Sequence, residues 1–337
     1  MEQNSDVSPM EVFSTINSFH RSAALKAGIE LGVFTKIAEG SKTAKAIAEA
    51  CEAAERGVRI LCDSLAVIGF LTKTGDEYDL REDAAVFLNR NSPAYMGTAV
   101  DFLMSPMLMD GFVSLTDAVR QGGTAIPDEG SVAPENPVWV KFARSMMPMM
   151  MPAAEQMAEN LPFERDKQIK VLDIAAGHGI FGIKMAQRFP NAEIYALDWK
   201  NVLEVAKENA EKFGVSERYR TIEGSAFDAD FGADYDVVLL TNFLHHFDAP
   251  TNEKLLRKIY DSLDGDGKVL TLEFVPNDDR ISPPGEALFS LIMLSSTPSG
   301  DAYTFAELKQ MFQNAGFSAS EHHPLSPSPQ HLIISTK

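Results

Sequence analysis

The chain changes its hydrophobic period partway along. Over residues 11–38 the apolar positions Val12, Ile16, Phe19, Ala23, Ala27, Leu31 and Phe34 recur at helical spacing, interrupted by Gly28 and Gly32, which predicts one or two helices. Thr43 is a suitable N-cap for a short helix reaching about Cys51. A second helix over Glu55 to Ile68 carries Val58, Leu61, Cys62, Leu65 and Ile68 on one stripe, and Gly69 closes it. Phe70-Leu71-Thr72 and Tyr78-Asp79-Leu80 then flank Thr74-Gly75-Asp76, where the Gly-Asp pair reads as a tight hairpin turn. Helix, turn, helix and hairpin together make a winged helix.

Residues 93–165 read as broken helices, with prolines at 93, 106, 127, 134, 137, 148, 152 and 162. From Ile169 strand and helix alternate. Strands are predicted near 170–175, 193–198, 219–223, 235–241 and 268–275, and helices near 180–189, 201–213 and 251–263. This is the pattern of an α/β, Rossmann-like doubly wound sheet. Helices near 286–295 and from Thr304 to before Gly316, then strands near 318–323 and 331–336, end the chain on a hairpin. Three regions are expected: a mainly helical winged-helix domain over 1–95, a helical linker covering the pocket over 96–165, and a cofactor-binding catalytic domain over 166–337.

Charge changes the reading of the first region. The chain carries a net charge of -18, which opposes phosphate backbones and anionic lipid surfaces. Between Thr43 and Gly69, Lys45, Arg56 and Arg59 stand against Glu49, Glu52, Glu55 and Asp63, and the hairpin adds Lys73 against Asp76, Glu77 and Asp79. Nucleic-acid binding draws its sequence-independent affinity from cations. A subunit interface is therefore the better use of this module, and a homodimer is expected. No apolar stretch approaches 18 residues and no basic start precedes an apolar run. Neither a membrane span nor a signal peptide is expected, and the cytoplasm is the default compartment. Cys51 and Cys62 lack C-x-x-C spacing and read as buried free thiols.

Lys170 to Trp199 narrows the chemistry. The run K-V-L-D-I-A-A-G-H-G-I-F-G, a helix-length gap and A-E-I-Y-A-L-D-W describe strand, glycine turn, helix and second strand. Gly177, Gly179 and Gly182 fit G-x-G-x-x-G, which alone suggests a dinucleotide and an NAD-dependent oxidoreductase. Asp173 argues against it, because a carboxylate at the strand end would face a pyrophosphate. A carboxylate suits a ligand that presents a cation, as S-adenosylmethionine does with its ammonium and sulfonium. Asp173 then receives the methionyl end, Gly177 and Gly179 allow close backbone approach, and Asp198, with Trp199 beside it, is placed for the ribose hydroxyls.

The later strand ends supply the acceptor side. After the third strand come Ser225, Ala226 and Phe227, candidates for contact with adenine. After the fourth come Asn242 and the pair His245-His246, and an imidazole can take a proton from an acidic hydroxyl. Of the pair, His245 is preferred as the functional one. Glu273 follows the fifth strand, where an acid among apolar residues needs a partner, and His245 on the neighbouring strand is a candidate. A metal is not expected, since no other His or Cys lies nearby and His322-His323 sits on a distant strand. Met146 belongs to the methionine run Met146–Met151. With Phe289 and Met293 it suggests an apolar, planar acceptor.

These motifs resemble the S-adenosylmethionine-dependent class I O-methyltransferases with an N-terminal winged-helix dimerisation domain. The resemblance covers nearly the whole chain and is carried by V-L-D-I-A-A-G-H-G at 171–179, Asp198, G-S-A-F at 224–227, N-F-L-H-H-F at 242–247, L-E-F-V-P at 272–276 and G-D-A-Y-T-F-A-E-L at 300–308. It implies His245 as general base, Glu273 as its flanking acid, and a helix bearing Trp139, Phe142 and Met146 over cofactor and substrate. Bacterial members acting on small aromatic metabolites, pigments or polyketides are the nearest in pattern. Two positions depart from it: Ala302 stands where plant-type members carry a second flanking acid, and Ser225 where many carry Asp. The same scaffold also serves C-methylation and non-methylating chemistry, which remain alternatives here.

Overall fold

The computed structural model describes residues 8–337, so residues 1–7 of the first expected region lie outside the described residues. The chain divides into two compact units between Val100 and Asp101. Of the linker expected over 96–165, residues 96–100 fall in the first unit and 101–165 in the same unit as the sheet.

The first unit opens with α1 (Met10–Asn17), α2 (Phe19–Glu30) and α3 (Val33–Ala38), three helices where one or two were expected. Of the two glycines read as interruptions, Gly32, at φ +73°, begins α3, whereas Gly28 lies inside α2, and the extra break falls at Ser18. No residue of α1 is buried. Thr43 caps α4 (Ala44–Ala50), its hydroxyl accepting from the Ala46 amide. Gly69, at φ +93°, follows α5 (Glu55–Val67). The hairpin β1 (Leu71–Thr74) and β2 (Glu77–Leu80) turns at Gly75-Asp76 and leads to α6 (Glu82–Phe87). Asp63 on α5 ties the hairpin down, accepting from Tyr78 Oη at 2.7 Å and Lys73 Nζ at 2.6 Å, with Arg59 also bound. Two of the four cations a phosphate would need are thus engaged within the unit. Cys62 is buried, its thiol pushed up to about 12 by desolvation, whereas Cys51 is only half-buried.

Short helices precede the sheet: α7 (Ala99–Leu103), α8 (Pro106–Val113), α9 (Leu115–Gln121), α10 (Val138–Ser145) and α11 (Met147–Glu159). The methionine-proline run becomes helix, with Pro148 in the first turn of α11, where no amide bond is lost, and Pro152 in its interior. The sheet then takes β3 (Lys170–Ile174), α12 (Ile180–Arg188), β4 (Glu193–Asp198), α13 (Lys200–Lys212), β5 (Tyr219–Glu223), β6 (Tyr235–Thr241), α14 (Ala249–Ser262) and β7 (Leu263–Glu273). It continues with α15 (Pro284–Ser296), α16 (Phe305–Ala315), β8 (Ala319–Pro324) and β9 (His331–Thr336). β7 begins five residues earlier than expected. It absorbs the polar Asp264-Gly265-Asp266-Gly267 stretch, where the pairing with β6 shifts register and the side chains are exposed.

Strand order is β5-β4-β3-β6-β7-β9-β8, and β9 alone of these strands runs antiparallel, to both β7 and β8. Right-handed crossovers that run one way from β3 and the other way from β6 place α12 and α13 on one face and α14 on the opposite one. Leu255, Leu256 and Ile259 of α14 and Leu308, Met311 and Phe312 of α16 pack together against Leu172, Ile174, Val238, Leu240 and Ile333 of the strands. The order reverses between β3 and β6, and ligands in such sheets bind outside the strand ends at that point.

Phe312 is fully buried in this cluster. Phe312→Ala should therefore cost about 3–5 kcal/mol, measured as a lowered urea midpoint with the ligand-free protein.

Candidate active site

The loop from β3 into α12 runs through left-handed conformations at Ala175 (φ +53°), Gly177 (+57°) and Gly179 (+73°). Each glycine has its own reason. At Gly179 a side chain would also meet Tyr219 Oη at 2.5 Å, and at Gly182, where the backbone is helical, it would meet Asp173 Oδ2 and Ile194 at 2.8 Å. Ala175 holds a conformation that costs a non-glycine residue free energy, as often happens where backbone approaches a ligand.

Asp173 is fully buried. Its Oδ2 accepts from the Gly182 amide at 3.1 Å, while Oδ1 has no partner among the described residues. Burial pushes its carboxyl up to about 7, and the charge of Asp198 adds to the rise. Asp198 accepts from the amides of Gly177 at 2.8 Å and Trp199 at 2.6 Å, yet burial still lifts it to about 6. The buried, unpartnered hydroxyl of Tyr219 is raised well above its ordinary value, by desolvation first and then by both carboxylates. Neither aspartate forms an ion pair with a described residue. Acidic groups without a counter-cation in a dry site favour a ligand that brings one. No cluster of three metal-ligating side chains occurs among the described residues.

Helix α10 lies across the switch point. Phe142 stacks on His178 at 5.6 Å, and a Cβ on Gly177 would touch its ring at 3.4 Å. Phe142, expected on the acceptor side, thus lies against the glycine turn. His178 accepts from the Ile180 amide through Nδ1, and burial holds its ring neutral, near 3. Trp139 anchors to the Ser131 carbonyl at 2.8 Å and packs its ring on His246 at 5.1 Å. Trp199 joins Trp139, Val140, Ala143, Val202 and Val205 in one apolar cluster. Met146 is buried where α10 meets α11.

At the end of β6, Asn242 takes φ +54°. Its amide bonds the Leu272 carbonyl at 2.8 Å, its Nδ2 reaches Met150 Sδ at 3.9 Å, and its Oδ1 accepts from Gln330. The chain then makes a short turn of 3₁₀ helix over Leu244–His246. Glu273 grips this turn from β7. Its Oε1 accepts from the amides of Phe243 at 3.0 Å and Leu244 at 2.8 Å, and its Oε2 lies 2.5 Å from His245 Nδ1. Asn252 of α14 holds the turn from below through the carbonyls of Leu244 (2.8 Å) and Phe247 (3.2 Å). A side chain at Gly300 would stand 2.2 Å from the His245 carbonyl oxygen, so only glycine permits that approach. His246 packs among Trp139 and Phe243, and its ring is kept neutral by burial and by the neighbouring His245.

Phe289 sets its ring 4.8 Å from that of His245 and stacks on Phe274 at 4.0 Å. Met293, one turn along α15, is buried. Ala302 is buried too, and its amide bonds Asp301 and Ser290.

The loop after β5 carries the candidates for adenine contact, Ser225, Ala226 and Phe227. Ser225 Oγ accepts from the Phe227 amide at 3.2 Å, within its own loop. Ala226 is buried in the core, and Phe227 packs on Phe247 at 4.9 Å. Lys258 binds the carbonyls of Ala226, Phe227 and Ala229. Gln330, Asn252, Glu286 and His331 also belong to the surroundings of this site and were not found from the sequence. Asn252 and Gln330 carry no local signal, while His322 was visible and meets His331 at 2.6 Å.

Residues 114–318 match the O-methyltransferase domain, and residues 13–90 match the O-methyltransferase dimerisation domain. The chain belongs to the O-methyltransferase family. A Nostoc punctiforme protein assigned as an O-methyltransferase, known from its crystal structure, is 53% identical, with 99% of this chain and 100% of that one covered and a TM-score of 0.95. The 3-hydroxy-5-methyl-1-naphthoate 3-O-methyltransferase of Streptomyces sahachiroi is 27% identical, covering 88% of this chain and 86% of its own. The S-adenosyl-L-methionine-dependent methyl transferase PigF of Serratia, solved with S-adenosylhomocysteine, has a TM-score of 0.86 at 23% identity, with 98% and 100% covered. That last likeness concerns the fold.

The raised carboxyl of Asp173 gives this O-methyltransferase a pH signature. Its folded value lies above the unfolded one, so between about pH 4 and 7 the ligand-free fold holds the extra proton and loses stability as pH rises. A ligand ammonium reverses this, because it requires the ionised form. Affinity for S-adenosylhomocysteine should fall about tenfold per unit below pH 7, with proton release on binding. Calorimetry in buffers of differing ionisation enthalpy checks both.

Proposed function

We propose that this O-methyltransferase moves the methyl group of S-adenosylmethionine to a hydroxyl of a small, apolar, aromatic or polyketide-like metabolite, with His245 as general base. The contact between His245 Nδ1 and Glu273 carries the reading. It fixes the tautomer, with Nδ1–H donating to the carboxylate, and leaves Nε2 as the basic nitrogen. No described residue bonds Nε2.

The residues at the β3 and β4 ends fit the cofactor. Asp173 Oδ1, buried and without a donor, suits the ammonium. Asp198 keeps lone pairs for ribose hydroxyls beyond its two amide bonds. Gly177 and Gly179 keep the backbone open, and Phe142 and His178 close that end from water. When bound, S-adenosylmethionine supplies an electrophilic methyl on its sulfonium. His245 Nε2 removes the acceptor's hydroxyl proton as the oxygen attacks, and Glu273 stabilises the imidazolium that results. Phe289, Met293 and Met146 give the acceptor apolar surface, while the buried turn at Leu244–His246 holds the base where alignment, the main source of rate in such a transfer, is kept. The absence of an acid at 302 leaves Glu273 as the supporting carboxylate.

The streptomycete relatives named for a naphthoate 3-O-methyltransferase and for an 8-O-methyl transferase of tetracenomycin polyketide synthesis support an acceptor of this class. We place the protein in the cytoplasm, since no helix among the described residues is long and apolar enough to cross a membrane. It works as a homodimer through the first unit, where Met10, Val12, Phe13, Ile16 and Phe19 stand more than half exposed on α1 and α2.

His245→Ala should lower kcat roughly two to four orders of magnitude with affinity for S-adenosylhomocysteine unchanged, and Glu273→Gln should fall between the two. Unaltered turnover in His245→Ala would remove the base assignment. Sedimentation at micromolar concentration should give the dimer mass, and Phe13→Asp with Ile16→Asp should shift it to monomer.

A further inference from the structure

The mechanism uses one acid near the base, yet a second lies close by. Glu286 is in the first turn of α15 and is buried, its side chain 10% exposed. Neither of its carboxylate oxygens takes a hydrogen bond from a described residue. His331 Nε2 stands 3.7 Å from its Oε1, a gap too long for a direct hydrogen bond. His331 in turn bonds His322 at 2.6 Å through Nδ1, and His322 stacks on Phe305 at 4.8 Å. Burial lowers the affinity of both rings for a proton.

This pair sits beside the candidate base. His331 is the direct cross-strand partner of Glu273 in the β7–β9 ladder, so the two side chains leave the same face of the sheet. Glu286 stands three residues before Phe289, on the same side of α15. Phe289 touches His245. The two positions are thus one helical turn apart, a rise of about 5 Å along the axis of α15. A largely buried carboxylate that no protein donor bonds favours a ligand that brings a donor to it.

We propose that Glu286, steadied by His331, is a specificity-determining subsite of the acceptor pocket that accepts a hydrogen bond from a second hydroxyl or N–H of the acceptor. It rests on the aromatic-acceptor reading above and narrows it. The preferred acceptor carries two polar groups on a fused-ring frame, one methylated at His245 and one held at Glu286. The polarity has a direction: a carboxylate favours a donor and rejects a second carbonyl or ether at that place.

Calorimetry with the protein loaded with S-adenosylhomocysteine tests this, using the two naphthols against each naphthalenediol isomer. At least one diol should bind on the order of tenfold tighter than either naphthol. Its monomethyl ether at the second hydroxyl should lose that advantage. Glu286→Leu should abolish the preference, and Glu286→Gln, which keeps the shape and an acceptor oxygen, should retain part of it. If Glu286→Leu fails to bind S-adenosylhomocysteine, Glu286→Gln alone decides, and it must reduce the preference at least threefold. No preferred isomer, or a preference that survives these substitutions, overturns the subsite while leaving the aromatic-acceptor reading in place. Binding of S-adenosylhomocysteine with no binding of any naphthol or diol overturns that reading and the subsite together.

Discussion

The carboxylate of Glu273 is the constraint on which the acceptor side of the molecule depends. One oxygen takes two backbone amides at the start of the turn after β6, and the other takes the imidazole of His245. A single side chain therefore sets both the path of the loop and the ring it carries. The arrangement is affordable in a buried place because three donors converge on one charge, so desolvation is offset by hydrogen bonds. The β7 strand supplies the rigidity: Glu273 is its last residue, paired with His331 of β9, and the strand itself lies between β6 and β9.

The cofactor side works by the opposite logic. Asp173 is buried and Asp198 half-buried, each with few donors, and the site holds their charge poorly without a ligand. That stored cost is recovered when a cation and hydroxyl donors arrive, so affinity and the protonation of the empty site are linked. The two ends of the crevice thus differ in kind, one saturated by the protein and one completed by the ligand.

Much of this was legible in sequence. The strands and helices of the sheet were visible because a parallel sheet buried on both faces produces apolar runs such as Val237 to Leu240 between amphipathic helices. The proximity of His245 and Glu273 was legible for the same reason, since both close adjacent parallel strands. What escaped were contacts fixed only by tertiary packing. Asn242 meets Gln330 across a sequence separation of 88 residues, and Asn252 serves a turn eight residues earlier through its side chain. Neither leaves a local pattern. Phe142 could be placed on the covering helix, but which ligand end it faces depends on the phase of α10, and phase is set by Trp139 and Phe102. The first unit hid its third helix because the break at Ser18, between α1 and α2, involves neither glycine nor proline and leaves the apolar period intact.

Gly300 has a consequence for how such a pocket can diverge. The segment after α15 touches the carbonyl of His245 with no room for even a methyl group, so the length of chain between α15 and α16 is pinned to the catalytic turn. Insertions or deletions there would carry the base with them. New acceptor preferences are instead free to arise by exchange of side chains along the inward face of α15, a surface that can be rewritten one position at a time while the distance from helix to base stays fixed.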